Sequence, residues 1–316
     1  MSSKRADRLC RGAALALVVA LAGCVPPADA GKQPAPAPVV QPVRAPPASS
    51  PTPSPTPPRA PVRADFALQG IAEQGAVMVG QAPEGTRALT FDGQAIPVAA
   101  DGRFLIAFDR DAGAEARLVA TLADGRAAER RIAVAPGRWR LEHINAPYRG
   151  SARNEAEFER RRPAELAEIA AARSKQVTSD GWRQAFRWPV TGRLSGFFGS
   201  QRVYQGKPGS YHSGTDVAVP AGAPFVAPAD GVVVLAASAP FTLEGNLLIV
   251  DHGMGLSSAF LHCQRLDVKL GDRVVQGQRL GTVGRTGRAT GPHMHWGLKW
   301  RDARLDPTKL AGPMGG

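Results

Sequence analysis

Tyr211-His212-Ser213-Gly214-Thr215-Asp216 is the stretch around which the rest of the chain can be read, and its counterpart downstream is Gly291-Pro292-His293-Met294-His295-Trp296. The first carries an H-x-x-x-D pair, His212 and Asp216; the second carries an H-x-H pair. Two imidazoles and a carboxylate form a donor set that a zinc ion binds when one coordination position stays open for water. Five of the six histidines (His212, His252, His262, His293, His295) fall in the last third of the chain. These residues predict a zinc site for hydrolysis. In a strand, residues i and i+2 share a face, so His293 and His295 should point the same way while Met294, Trp296 and Leu298 enter the core.

Working outward, the sequence from Trp182 on alternates short β-runs with glycine-rich turns. Residues 231–236, 247–251, 257–262, 279–283 and 293–300 read as strands of a C-terminal domain over 182–312. Residues 196–209 and 240–245 are polar, flexible stretches that should wall a groove. Upstream, Asp92-Gly93, Asp101-Gly102 and Asp124-Gly125 are turn dipeptides between short apolar runs. Their spacing predicts a β-sandwich of immunoglobulin-like type over 65–145 with no chemistry of its own, His143 included. Between the two domains, residues 151–175 are rich in Ala, Glu and Arg and predict a helical connector within 150–178. Pro163 is expected to begin a second helix there, at its first position. Whether the connector crosses the groove is left open by the sequence.

The chain starts differently. Lys4, Arg5, Arg8 and Arg11 precede an apolar run from Gly12 to Ala22 and then Leu21-Ala22-Gly23-Cys24. That run is shorter than the roughly 20 residues a membrane-spanning helix needs, and the order basic, apolar, small is that of a secretory signal. Its end resembles a bacterial lipoprotein signal, which implies cleavage before Cys24 and a lipid on that residue. Val25 rather than aspartate follows, which by the sorting rule of enteric bacteria implies a periplasmic protein anchored to the outer membrane. Residues 25–64 hold 14 of the 28 prolines, a density that excludes helix and sheet and gives an extended linker. Its reach is on the order of 120 Å. The net charge of +12 suits an anionic polymer or a membrane face. No basic helix interleaved with aromatic residues and no nucleic-acid motif is present, so nucleic acid is not an expected partner. Three cysteines make no disulfide framework; Cys263, next to His262, should be a buried free thiol facing away from the site.

Together, His212-x-x-x-Asp216, His262 within Ala259-Phe260-Leu261-His262, and His293-Met294-His295 resemble the lysostaphin-like, LytM-type zinc endopeptidases. Phe198-Gly199-Ser200-Gln201-Arg202, Asp230-Gly231-Val232-Val233, Val250-Asp251-His252-Gly253 and the run from Thr286 to His293 fit the same family. The resemblance covers about residues 185–310. It implies a mainly β protein with a C-terminal lysostaphin-type domain. It further implies that His212, Asp216 and His295 bind Zn2+, and that His262 and His293 stand over the open coordination position. There is no H-E-x-x-H, so no glutamate is placed as base; His293 is expected to take the proton and His262 to stabilise the oxyanion or protonate the departing amine. The implied substrate is the peptide part of peptidoglycan, with the D-Ala–diaminopimelate cross-link favoured over glycine bridges. Family members that have lost zinc ligands activate cell-wall amidases by protein contact, so a regulator acting on a protein partner is the rival expectation; here every ligand position is filled. A further rival, a biotinyl or lipoyl carrier suggested by the run from Val268 to Gln278, fails because Lys269 is not in the hairpin turn a carrier needs.

Overall fold

A computed structural model describes residues 66–147 and 155–314. The signal segment, Cys24 and the proline-rich linker lie outside the described residues. Among the described residues, no helix is long and apolar enough to cross a membrane.

The first domain holds β1 (Ala67–Gly70), β2 (Val77–Gln81), β3 (Thr86–Phe91), β4 (Gln94–Ile96), β5 (Arg103–Ala107), β6 (Glu115–Leu122) and β7 (Ala127–Ala133). One sheet runs β1-β2-β5 and the other β4-β3-β6-β7, the three-plus-four arrangement of an immunoglobulin-like sandwich. Alternation drives it: on β6, Ala116, Leu118, Ala120 and Leu122 are buried while Glu115, Arg117 and Thr121 face solvent. Asp92-Gly93 closes the β3–β4 hairpin with both residues at positive φ, the geometry a two-residue hairpin loop requires.

Two elements join this sandwich to the second domain. β8 (Leu141–Ile144), which the sequence did not predict, carries His143 and lies parallel to β10 (Gln201–Tyr204). The connector α1 (Glu155–Arg173) is one helix with Pro163 inside it, which corrects the expectation of a second helix starting at that proline. An interior proline forfeits a backbone hydrogen bond at about 3 kcal/mol. Both halves of the helix are nevertheless tied to one surface. Arg161 donates to the Pro240 carbonyl, Arg162 pairs with Glu244, Glu165 accepts from Thr242, and Arg173 donates to Ser257.

The second domain comprises β9 (Arg193–Gly196), β10, β11 (Lys207–Tyr211), β12 (Thr215–Ala218), β13 (Pro224–Val226), β14 (Gly231–Ala236), β15 (Asn246–Asp251), β16 (Leu256–Cys263), β17 (Arg265–Leu266), β18 (Arg273–Val274), β19 (Arg279–Thr282), β20 (Met294–Trp300), β21 (Ala303–Leu305) and the short α2 (Pro307–Ala311). Its main sheet runs β18-β14-β15-β16-β20-β12-β9, with β21 also on β20; a small sheet β13-β19-β17 packs beneath it. The inner face of β20 (Met294, Trp296, Leu298, Trp300) is buried against Trp188, Phe260 and Leu305. The outer face (His295, Gly297, Lys299) looks toward the groove and α1. Leu247, Ile249 and Ala259 on that outer face are buried too, because Ala172 and Ile169 of α1 cover them. The observed strands reproduce the five expected C-terminal runs to within a residue or two; His293 lies just before β20 rather than in it.

Candidate metal centre

Asp216 and His295 face each other in the β12–β20 ladder, and His212 comes from the loop that joins β11 to β12. His212 Nε2 lies 3.1 Å from Asp216 Oδ1 and 3.1 Å from His295 Nδ1, and His295 Nδ1 lies 2.9 Å from Asp216 Oδ1. Edges of about 3 Å are close to the spacing of donors around one ion with ligand bonds near 2.0–2.1 Å. The His212 Nδ1–H donates to the Phe197 carbonyl at 3.2 Å, which leaves Nε2 as a lone pair aimed at the triangle. Two imidazole nitrogens and a carboxylate oxygen thus converge on one point, and a cation at that point would satisfy all three. The residues present fit a zinc ion.

The local sequence leaves room for this packing. A Cβ on Gly214 would sit 2.6 Å from His295 Nε2 and 2.6 Å from the Trp296 carbonyl; one on Gly196, across the β9–β12 ladder, would sit 2.2 Å from Asp216 Oδ2. Electrostatics follow from the same contacts. Burial alone would raise the Asp216 carboxyl, but hydrogen bonds from His212 and His295 outweigh it and hold the group well below the usual carboxylate range. Burial lowers His212, and the Asp216 hydrogen bond and charge more than reverse that. For His295 burial prevails and its basicity is lowered.

The other two histidines reach the same space by different routes. His293 Nδ1–H donates to the Gly291 carbonyl at 2.8 Å, and its Nε2 lies 3.8 Å from Asp216 Oδ1. His262 owes its direction to a β-bulge. Leu261 pairs with His295 on one side, while on the other the register jumps from Leu248↔Phe260 to Asn246↔Cys263. The residue at the break, His262, has φ +62, a left-handed conformation uncommon outside glycine. Leu261 and His262 both line the groove, and Cys263 turns into the core with no exposure. The bulge, not simple alternation, aims this imidazole. Its Nδ1–H donates to the Thr286 carbonyl at 2.8 Å, and burial pushes its pKa down to about 4. The His262 and His293 rings are 5.0 Å apart. His252 is elsewhere, fully buried between the Asp230 carbonyl and the Ser258 hydroxyl.

The site forms the floor of an open groove of about 700 Å³, which adjoins a wider depression of about 1210 Å³ walled by β8, β10 and β11. Several residues that support it were not singled out in the sequence. Arg110, from the sandwich, is buried; it donates to the Gly199 carbonyl and to Gln201, and its guanidinium lies 4.6 Å over the Tyr211 ring, at the base of the β10–β11 wall. Trp139 packs edge-on to Phe198 beside it. Arg162 of α1 pairs in bidentate fashion with Glu244 at 2.7 and 2.8 Å, and both residues line the groove. Glu244 lies within the expected 240–245 wall; its arginine partner is remote in sequence and carries no local signal.

A His–Asp–His triangle on the face of an antiparallel sheet, open to a groove with two further imidazoles, is the kind of site that metal-dependent hydrolases use. Peptidase family M23 matches residues 210–307. The crystal structure of a Pseudomonas aeruginosa protein described as a peptidase M23 is 31% identical, covers 82% of this chain and 97% of its own, and superposes with a TM-score of 0.56. The chain belongs to peptidase family M23, the lysostaphin-like family its motifs resemble. Peptidoglycan DD-endopeptidase ShyA of Vibrio cholerae is 38% identical over 139 residues, 43% of this chain and 32% of that protein. Cell division protein DipM of Caulobacter vibrioides is 30% identical over 148 residues, 47% of this chain and 23% of that protein. The chain therefore spans about a third or less of the length of these curated relatives.

Proposed function

We propose that the chain is a zinc-dependent endopeptidase that hydrolyses peptide cross-links of peptidoglycan, the D-Ala–diaminopimelate bond in particular. The observation that carries this reading is the donor triangle of His212, Asp216 and His295, with His293 and His262 aimed at the same space. The DD-endopeptidase name of the Vibrio relative supports the substrate. In this reading His212 Nε2, Asp216 Oδ1 and His295 Nδ1 hold the metal, which when bound supplies Lewis acidity toward a carbonyl and acidifies water at neutral pH. His293, oriented by the Gly291 carbonyl, presents Nε2 as the proton acceptor. His262 presents Nε2 from the bulge to the carbonyl oxygen or the departing amine. Either task needs a proton on Nε2 in addition to the Nδ1–H held by the Thr286 carbonyl, and burial disfavours that doubly protonated form in the free imidazole. The basic surface and the groove suit an anionic, extended polymer. A lipid on Cys24 would tether the enzyme in the periplasm, at the outer membrane, with the proline-rich linker giving it reach.

The test uses the full-length chain loaded with zinc and incubated with diaminopimelate-type sacculi, the released muropeptides being separated by chromatography. Cross-linked dimers should fall and monomers rise, and neither change should occur with His212→Ala or after chelation. Unchanged dimers with zinc bound would overturn the peptidase reading in favour of a regulator of other hydrolases.

A further inference from the structure

Beneath α1, next to the donor triangle, a slot of about 300 Å³ runs along the outer face of β15, β16 and β20. Its walls near α1 are apolar, with Leu166, Ile169, Leu247 and Leu261 among them, and His295 and Ser213 line it where it meets the groove. Four cations also line it: Arg162, which is paired with Glu244, and Arg173, Lys299 and Arg304. Their neutralisation is incomplete. The Arg304 guanidinium donates to the Tyr211 hydroxyl at 3.3 Å and has no ion-pair partner among the described residues; Asp109 accepts from its backbone N–H instead. Arg173 donates to the Ser257 hydroxyl at 2.6 Å and likewise has no ion-pair partner among the described residues. Lys299 has only the fully exposed Asp302, at 3.5 Å. Glu244, the one carboxylate in the lining, is occupied at both oxygens by Arg162. Asp251, buried nearby, acts on Arg173 only at longer range.

Burial, together with the charges of their neighbours, disfavours the cationic forms of Arg173 and Lys299, the former pushed down to about 10. Cations that repel one another inside a partly enclosed slot are stabilised by an anion placed among them. The apolar walls beside the cations select against a compact, fully hydrated anion and favour a carboxylate carried on an organic group. The position beside His295 fixes where such a group belongs on a substrate.

We propose that this slot is an anion subsite that receives a free carboxylate of the peptide substrate beside the scissile amide, with Arg304, which lines both slot and groove, as its main contact and Lys299 and Arg173 of α1 adding positive charge farther along the slot. Arg173 lies outside the 210–307 family match, so α1 supplies part of the specificity. The inference rests on the peptidase reading for the identity of the ligand. A cross-link to diaminopimelate has this chemistry, since the carbon that bears the scissile nitrogen also bears a free carboxylate; a glycine bridge does not.

The test is equilibrium binding to the full-length zinc-loaded chain. The probe is a fluorescent ketomethylene analogue of the D-Ala–diaminopimelate peptide, which cannot be hydrolysed, in two forms: carboxylate free and carboxylate converted to carboxamide. The free form should bind roughly 10- to 100-fold tighter, as expected for charge-assisted hydrogen bonds. Arg304→Gln and Lys299→Gln should bring the free form toward the carboxamide's affinity without weakening the carboxamide, and Arg304→Lys should restore part of the preference. Equal affinity of the two forms for wild type, or a preference that survives both glutamine variants, would overturn the subsite. Inorganic phosphate that displaces both forms alike would mark a free-phosphate site and also overturn it. Hydrolysis of the parent cross-linked dimer is scored separately. A carboxylate preference without hydrolysis keeps the subsite and removes the peptidase reading, and hydrolysis without preference does the reverse.

Discussion

Replacing Gly214 by alanine should damage the metal site while leaving the fold intact. The added Cβ would meet His295 Nε2 and the Trp296 carbonyl oxygen, each at 2.6 Å. Ordinary contact lies near 3.4 Å or beyond, so these atoms and the methyl group must separate by roughly 0.8 Å. The Trp296 carbonyl cannot recede easily, because Thr215 and Trp296 are a ladder pair and Trp296 is fully buried. The strain therefore falls on the His295 ring, whose Nδ1 closes two edges of the donor triangle at 2.9 and 3.1 Å. A displacement of that size is a large fraction of a 2.0–2.1 Å ligand bond. Loss of ligand positioning typically weakens metal binding by about 10- to 100-fold, or roughly 1.4–2.7 kcal/mol. Competition of the apoprotein against a zinc-sensitive dye would measure it, with far-ultraviolet circular dichroism to check the fold. A folded Gly214→Ala chain that binds zinc as tightly as wild type would refute the packing argument.

Other expectations concern stability and reactivity. His252, fully buried and depressed by desolvation to about 4, stays neutral in the fold, whereas the unfolded chain protonates it below about 6.5. Asp251, raised by burial to about 6, does the opposite: the fold takes up its proton first as pH drops toward 4. Acidification from pH 6.5 to 4 thus removes stability through His252 and returns about 3 kcal/mol through Asp251. Asp251→Asn should lose more stability than wild type across that window by about this amount, measured by urea denaturation of the metal-free chain; parallel pH profiles would contradict it. Glu244→Gln breaks the largely buried pair with Arg162, which at a cost of up to about 3 kcal/mol should speed amide exchange of α1 by about two orders of magnitude. Exchange in the sandwich strands should not change, and an unaltered α1 would show that the pair does not hold the helix. Cys263, with no exposure and its thiol pushed up to about 12 by burial, should resist alkylation in the folded chain and react once unfolded, as read by peptide mass spectrometry. Rapid labelling of the native protein at that residue would argue against the observed packing of β16.

The parts of the site that were legible in the sequence are those whose geometry is local. His293 and His295 are two residues apart at the start of a strand, and His212 and Asp216 sit in one short motif, so few arrangements of the chain separate them. The alternating pattern of β6 and of β20 likewise announced buried faces. What stayed hidden depends on partners remote in sequence. Nothing around Arg110 indicates that it reaches under Gly199, or around Arg162 that it grips Glu244. Pro163 looked like a helix start because local propensity says so, and contacts along both halves of α1 overrode it. β8 is a strand only because β10 offers it an edge. The His262 bulge is visible only from the register of β15 against β16: a run such as Ala259-Phe260-Leu261-His262 gives no sign that its last residue takes a left-handed backbone.

The most direct test of the metal centre is a count of zinc per chain. Full-length protein would be stripped with chelator, reloaded with one equivalent of zinc, passed through a desalting column and analysed by mass spectrometry for metal, alongside Asp216→Ala and His295→Ala. One zinc per wild-type chain, and little in either folded variant, is the predicted result. Wild type that retains no zinc, or variants that retain it as fully as wild type, would contradict the assignment of His212, Asp216 and His295 as the metal centre.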